Sequence, residues 1–349
     1  MKRNRISNAI VGLTVCSMGL FSLVAPGAGA AAKKQAIKIG FANQSLSQPF
    51  LLSVQSGLVA SASGAGYKMV SLNNNDSDTT VLQNAQIMVN QHVNAVVEFL
   101  IDAKIGPAML QIFKKARIKT LITLDVPVKG MTFFGASNYA DGLLTGEALG
   151  KTAAAKGWTA ANTYVVAVGV PEAGPVPALR MTGMNKGILK TFPGIPSSQI
   201  LNVDGLGATA SSQSVVASVL PKIPSNDNII ITGINDESTL GGLDAVQVAG
   251  RASSAIEGSQ GLDAVGINQV KTNPSWIGDT AYFPELYGKY VVQLIREISA
   301  GKKIKPYVFI PHVFMSAKNI NQYYPASATA TVKAPPGGLI FSNSPNSSN

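Results

Sequence analysis

Eight residues carry the chemistry that stands out in this sequence: Gln48, Phe50, Glu98, Asp125, Arg180, Asn235, Asn268 and Tyr282. Each stands after an apolar run that reads as a buried strand. Together they offer two carboxyls, one guanidinium, three amides and two rings. Such groups hydrogen-bond and stack against a bound molecule. They contain no nucleophile beside a histidine and no metal-ligand cluster, so neither a catalytic role nor a metal or cofactor is expected. His92 lies in a helical pattern and His312 follows Pro311 in a strand pattern, so both read as structural. "GEALGKT" (146–152) has three residues between its glycines where a phosphate loop needs four, and it sits inside a helical pattern. The first strand leads into "FANQSLSQPF", which lacks a Gly-rich dinucleotide fingerprint.

The elements that must position these residues alternate. Strand patterns are "IKIGFA" (37–42), "YKMVSL" (67–72), "AVVEFL" (95–100) and "KTLITLD" (119–125), with helical patterns over 50–64, 79–92 and 106–117. In the first helix Phe50, Val54 and Leu58 recur on one face. The pattern repeats with "TYVVAVG" (163–169), "QILNV" (199–203), "NIIITGI" (228–234) and "DAVGI" (263–267) as strands, and with helices around 177–190, 209–220 and 237–249. Near-continuous apolar strands between helices predict an α/β chain of two doubly wound parallel-sheet lobes. The stretch 133–156 is the best candidate for a first crossing between lobes, with Asp141 placed to cap its helix. "DTAYFPELYGKYVVQLIREISAG" (279–301) reads as a strand and then a helix opened by Pro284, and "YVFIPHVFMS" (307–316) as one closing strand. In such sheets ligands sit beyond the carboxyl ends of the strands, which is where the eight residues fall.

The ends differ from this body. Lys2, Arg3 and Arg5, the apolar run 9–25 and "GAGA" (27–30) read as a signal peptide over residues 1–30. "LTVC" (13–16) loosely resembles a lipoprotein box, but Val15 is larger than the small residue such a box needs. Cys16, the one cysteine, then leaves with the leader, so no disulfide framework remains. Loss of the three basic groups lowers the formal charge from +10 to +7. The short clusters "FKKAR" (113–117) and "GKKIK" (301–305) read as solvated helix faces, and no nucleic acid partner is expected. With 46% hydrophobic residues over 349 positions, the chain can bury a core of about two domains. The Pro/Gly/Ser/Asn-rich 331–349 reads as a flexible tail.

"SLSQPFLLSVQSG" (45–57), "LITLD" (121–125), "GASNYADGLLTGEAL" (135–149), "LRMTGMNKG" (179–187), "GINDESTLGGLDAVQVAG" (233–250), "DAVGIN" (263–268) and "AYFPELYG" (281–288) occur in an order and spacing that resembles the periplasmic sugar-binding proteins of ABC transporters, of the ribose-binding type. The resemblance spans about residues 36–325. It implies two lobes joined by three crossing strands and closing like a clamshell: residues 36–139 with 283–311, and 140–282 with 312–330, pivoting near Asn138, Tyr282 and Pro311. It implies a cleft in which Gln48 and Phe50 match an Asn-Pro-Phe-like turn, Phe50 packing on the apolar face of a sugar. Glu98 stands where the family often has Asn or Asp, Asp125 would accept from sugar hydroxyls, Arg180 would donate a fork of bonds, and Asn235 would both donate and accept. Asn268 stands where the family often has Asp, and Tyr282 where it has a polar hinge residue. Val126 replaces the family's usual Arg.

The resemblance implies a monomeric periplasmic or secreted solute-binding protein, not an enzyme. It would carry a small sugar or polyol to a membrane ABC permease with its ATPase. The alternative is a sensor protein that signals to a chemoreceptor or histidine kinase. With Glu98 and Asp125 against one Arg180 the cleft would lean negative. A neutral sugar or polyol is then the first expectation, an amino sugar the second, and anionic sugars should bind poorly.

Overall fold

The computed structural model describes residues 36–325 and 332–345. The signal-peptide reading of residues 1–30 lies outside the described residues. The chain runs β1 (Lys38–Asn43), α1 (Pro49–Gly64), β2 (Lys68–Asn73), α2 (Asp78–Asn90), β3 (Ala95–Phe99), α3 (Gly106–Lys115), β4 (Thr120–Leu124) and β5 (Thr132–Gly135). It continues through α4 (Asn138–Ala155), β6 (Thr163–Gly169), α5 (Leu179–Thr191), β7 (Ile200–Asp204), α6 (Thr209–Val219), β8 (Asn228–Gly233), α7 (Asp236–Val248), β9 (Ala255–Gly261), α8 (Ala264–Thr272) and β10 (Trp276–Ala281). It closes with α9 (Pro284–Ser299), β11 (Tyr307–Phe309), β12 (Val313–Met315), α10 (Ile320–Tyr323) and β13 (Ile340–Ser342).

The strands form two sheets. One has the order β13-β11-β5-β4-β3-β1-β2 and the other β12-β10-β9-β8-β6-β7. Pairing is parallel throughout except at the edges, where β13 runs antiparallel to β11 and β12 to β10. Alternation along β3 shows how both faces are covered. Ala95 and Val97 join the core under α1 and α9, whereas Val96 joins the core under α2 and α3. In the second sheet Val165 and Ile230 pack under α4 and α5, and Val166 and Ile231 under α6 and α7. The chain passes between sheets after β5, after β10 and between β11 and β12, and returns to the first sheet between β12 and β13.

Four local expectations need correction. "DAVGI" is not a strand but the opening of α8, whose N-cap Asp263 accepts from the amides of Val265 (2.7 Å) and Gly266 (3.4 Å). The strand is the preceding β9, "AIEGSQG", which is wholly buried yet carries Glu257, Ser259 and Gln260 and so lacks an apolar signature. "YVFIPHVFMS" is two strands in different sheets, because the chain crosses at Ile310–His312. Asp141 does not cap α4, which starts at Asn138; it lies a turn inside, buried, with its Oδ1 2.7 Å from Nδ1 of His312 on the last crossing. That contact raises the His312 pKa against the lowering effect of burial. Part of the stretch read as a flexible tail is β13.

α4 and α5 touch through backbone. A Cβ on Gly142 or Gly146 would sit 2.1 Å from the carbonyl oxygens of Arg180 and Met184, and one on Gly183 or Gly187 would meet the α4 carbonyls of Tyr139 and Leu143. The i, i+4 glycines of "GLLTGEALG" and "GMNKG" therefore form one face on each helix, and the position of α5 depends on them. Gly146→Ala gains about 1 kcal/mol of helix propensity but overpacks the contact by about 1–3 kcal/mol or more. Thermal unfolding should move down for Gly146→Ala and not for Gly64→Ala, where an added Cβ meets open space.

Candidate functional site

The carboxyl ends of the two sheets face each other across a cavity of about 100 Å³. On a measure where one water takes about 10–15 Å³, this holds roughly seven to ten water-sized bodies. The turn after β1 brings Gln48 and Phe50, and the turn after β4 brings Asp125. α5 brings Arg180, the turn after β8 brings Asn235, and the crossing after β10 brings Tyr282; all six line the cavity.

Phe50 is held in the cleft by the way α1 begins. Gln48 is the N-cap, Pro49 opens the helix and Phe50 follows, so the ring leaves the corner toward the second sheet. Its ring centroid lies 6.4 Å from that of Tyr282 and 5.7 Å from that of Tyr287, both contacts T-shaped. The Phe50 amide donates to Oδ2 of Asp263 (3.1 Å), and Gln48 Nε2 donates to the carbonyl of Gly207 (3.1 Å). Both bonds join the lobes. Gly207 follows Leu206, and both have left-handed backbones, φ 71° and φ 52°. The same carbonyl receives Asn235 Nδ2 at 2.9 Å, while Asn235 Oδ1 caps α7 through the Ser238 amide (3.0 Å).

Arg180 is the hub. Its Nε donates to Asn138 Oδ1 (2.6 Å) and its Nη1 to the carbonyl of Ile234 (3.2 Å). Its Nη2 lies 3.6 Å from Asp125 Oδ1, and the guanidinium sits 5.0 Å over the Tyr282 ring. Asp125 is fixed in turn. Its backbone is left-handed, φ 53°, and Oδ1 accepts the Ala136 amide (3.2 Å). The Tyr287 hydroxyl reaches both of its oxygens, at 3.2 and 3.1 Å. Burial pushes the Asp125 carboxyl up, and Arg180, the Ala136 amide and Tyr287 pull it back. Asp125 therefore anchors Arg180 as much as it faces the cavity.

Two expected residues are elsewhere. Glu98 does not line the cavity; it is fully buried in β3, on the α2/α3 face of the sheet, beside Ala42 and Thr123. Neither of its carboxyl oxygens has a well-formed hydrogen bond among the described residues, and burial holds its pKa well above the ordinary value, with the Asn74 side chain pulling the other way. Asn268 is exposed in the middle of α8, since the strand expected before it is that helix. The residues that take their place on the wall are Asp236, Glu237, Gln260 and Asp263. The signal for Asp263 was its type and place, an N-cap residue before a short helix. Gln260 accepts a short hydrogen bond from the Tyr282 hydroxyl, and its Nε2 has no partner among the described residues. Val126 lines the cavity as an apolar surface.

The periplasmic binding protein domain, as a family model, matches residues 39–303. An ABC transporter solute-binding protein from Mycobacterium smegmatis with bound glycerol superposes at TM-score 0.72 and 18% identity, covering 86% of this chain and 100% of that one. A periplasmic solute-binding protein from Actinobacillus succinogenes with bound D-allose gives 0.67 at 20% identity over 82% and 100%. One from Bacillus halodurans with bound myo-inositol gives 0.69 at 14% identity over 84% and 98%. At these identities the likeness is one of fold. A sequence comparison with curated proteins finds no match.

The raised pKa of Glu98 gives a sign to its effect on stability. The folded state keeps a proton that the unfolded carboxyl loses above about 4.5. Stability from this group is full below that value and declines as pH rises toward the folded pKa. Glu98→Gln has no such proton. Denaturant titrations at about pH 5 and about pH 8 should show the variant gaining on the wild type at the higher pH. A constant difference would mean that the buried carboxyl does not titrate as its burial requires.

Proposed function

The chain belongs to the periplasmic binding protein family, and we propose that it is the solute-binding component of an ABC importer, holding a small sugar or polyol between its lobes. The observation that carries this reading is the cavity itself. It is bridged by contacts from both lobes, it is sized for a molecule of a few carbons, and it is lined by the rings of Phe50, Phe99 and Tyr282 together with amides, carboxyls and a guanidinium. A ring such as Phe50 suits the C–H face of a polyol, and the polar groups suit its hydroxyls. Binding favours the closed form only through contacts that both lobes make at once.

The same lining favours carriage over catalysis. It includes no serine, threonine, cysteine, histidine or lysine. Glu237 and Asp263 touch each other and so do not flank a gap of about 5 Å for a scissile bond. Solved neighbours named as ABC transporter proteins support a membrane permease with its ATPase as the partner, and the one named periplasmic supports export; a monomer in the periplasm or secreted is the state in which it would serve.

The test is thermal unfolding of the protein against neutral pentoses, hexoses, inositols and alditols. A true solute should raise Tm by mass action, and small-angle scattering should show compaction. Phe50→Leu should weaken the same solute by about 0.5–1.5 kcal/mol, the worth of an aromatic contact beyond its area. No shift and no compaction with any member, or with its amine-bearing analogue, would overturn the reading.

A further inference from the structure

The wall made by the start of α7 and the β9–α8 turn narrows the class of solute. Asp236, Glu237 and Asp263 line the cavity there, and Arg180, the one cationic residue of the lining, is engaged by Asp125, Asn138 and the Ile234 carbonyl. Asp263 spends one oxygen on the amides of Val265 and Gly266 and the other on the Phe50 amide from the opposite lobe. Asp236 Oδ2 accepts the Asp263 amide at 2.8 Å. Glu237 is only 7% exposed and Asp236 2%, yet Glu237 Oε1 and Asp236 Oδ1 receive no hydrogen bond from a donor among the described residues. Two buried acceptors at the cavity wall thus wait for donors.

The charge balance says what kind of donor. Glu237 lies against Asp263, and Asp236 against Asp279 behind it, so each pair sets one carboxyl against another. Burial first, and then Asp263, push Glu237 up to about 9. Asp279 is pushed to about 7, chiefly by burial. Even with one proton on Glu237 and one on Asp236, two of the four carboxyls remain to carry negative charge on this wall. Asp125 and Arg180 cancel each other, and Glu285, also raised by burial, adds no positive charge. The N-termini of α7 and α8 each offset roughly half a charge. About one net negative charge is left in a cleft that closes, which is unfavourable unless a cation joins it. Among the described residues no group is placed to hold a metal ion.

We propose that Glu237 and Asp263 form an ammonium-binding subsite, so that the preferred solute is an amine-bearing sugar or polyol whose ammonium docks on the unpartnered Glu237 Oε1 beside Asp263. The inference rests on the solute-binding reading above. Glu237, pushed up to about 9 and so protonated near pH 7, gives its proton to solvent as the ammonium donates to its Oε1, and the hydroxyls of the solute are left to Asn235, Gln260 and Arg180.

The experiment is titration calorimetry of the wild-type protein at about pH 7 in two buffers of different ionisation enthalpy. The probes are aminodeoxyhexoses, aminodeoxyalditols and inosamines, each beside its neutral parent. The expected result is an amine at least about tenfold tighter than its parent, with close to one proton released per molecule bound. In E237Q the amine should lose at least that tenfold. If that variant does not fold, the proton count on the wild type still decides. Parents that bind as tightly as their amines, or amine binding without proton release, would overturn the subsite and leave the solute-binding reading standing. Failure of both series to bind would remove both.

Discussion

A guanidinium only 12% exposed must be surrounded, and much of this site follows from that requirement. Removing one partner of a buried pair leaves an uncompensated charge, at about 3–5 kcal/mol. Arg180 draws its partners from four places: Asp125 beyond β4, Asn138 at the first crossing, the Ile234 carbonyl beyond β8, and the Tyr282 ring at the second crossing. The left-handed turn at Asp125 and the Tyr287 hydroxyl on α9 hold the counter-charge in place. The glycine faces of α4 and α5 let the helix that carries Arg180 approach closely enough to reach all of them.

Against this hub, the direct bonds between lobes are few. Phe50 to Asp263 and Gln48 to Gly207 are each worth about 0.5–1.5 kcal/mol net. With the Asp125–Arg180 pair, which also spans the lobes, these are the contacts that opening must break and a bound solute must favour. The latches also use groups that double as structure. Asp263 is a helix cap and Gly207 O serves Asn235 as well, so the closed lobes meet at rigid points.

The fold was legible because its strands are apolar and its helices one-sided. β6 matches its sequence reading residue for residue. Six of the eight candidate residues meet in the cavity for the same reason: strand ends locate the site. The two misses come from what a one-dimensional pattern omits. β9 is a central strand whose buried side chains include Glu, Ser and Gln, so apolar content could not mark it. Reading the next helix as that strand moved the site position from Asp263 to Asn268. Glu98 failed on parity: it sits near a strand end, but its side chain leaves the sheet on the α2/α3 face and not toward the cavity. The lean toward negative charge survives, carried by Asp236, Glu237 and Asp263 in place of Glu98.

The order in which the strands are made has a consequence for how this chain acquires its shape. β11 lies inside the first sheet between β5 and β13, and β12 closes the edge of the second, yet both come after every other strand except β13. α9, which covers Leu51, Val54 and Leu58 of α1, is made just before them. During synthesis the first lobe to begin is therefore the last to be sealed, and its apolar face stays open until the distant partners arrive. The Tyr287 hydroxyl that steadies Asp125 arrives on that same late helix. A nascent chain stopped before α9 would have its second sheet nearly whole and its binding cleft without an anchor.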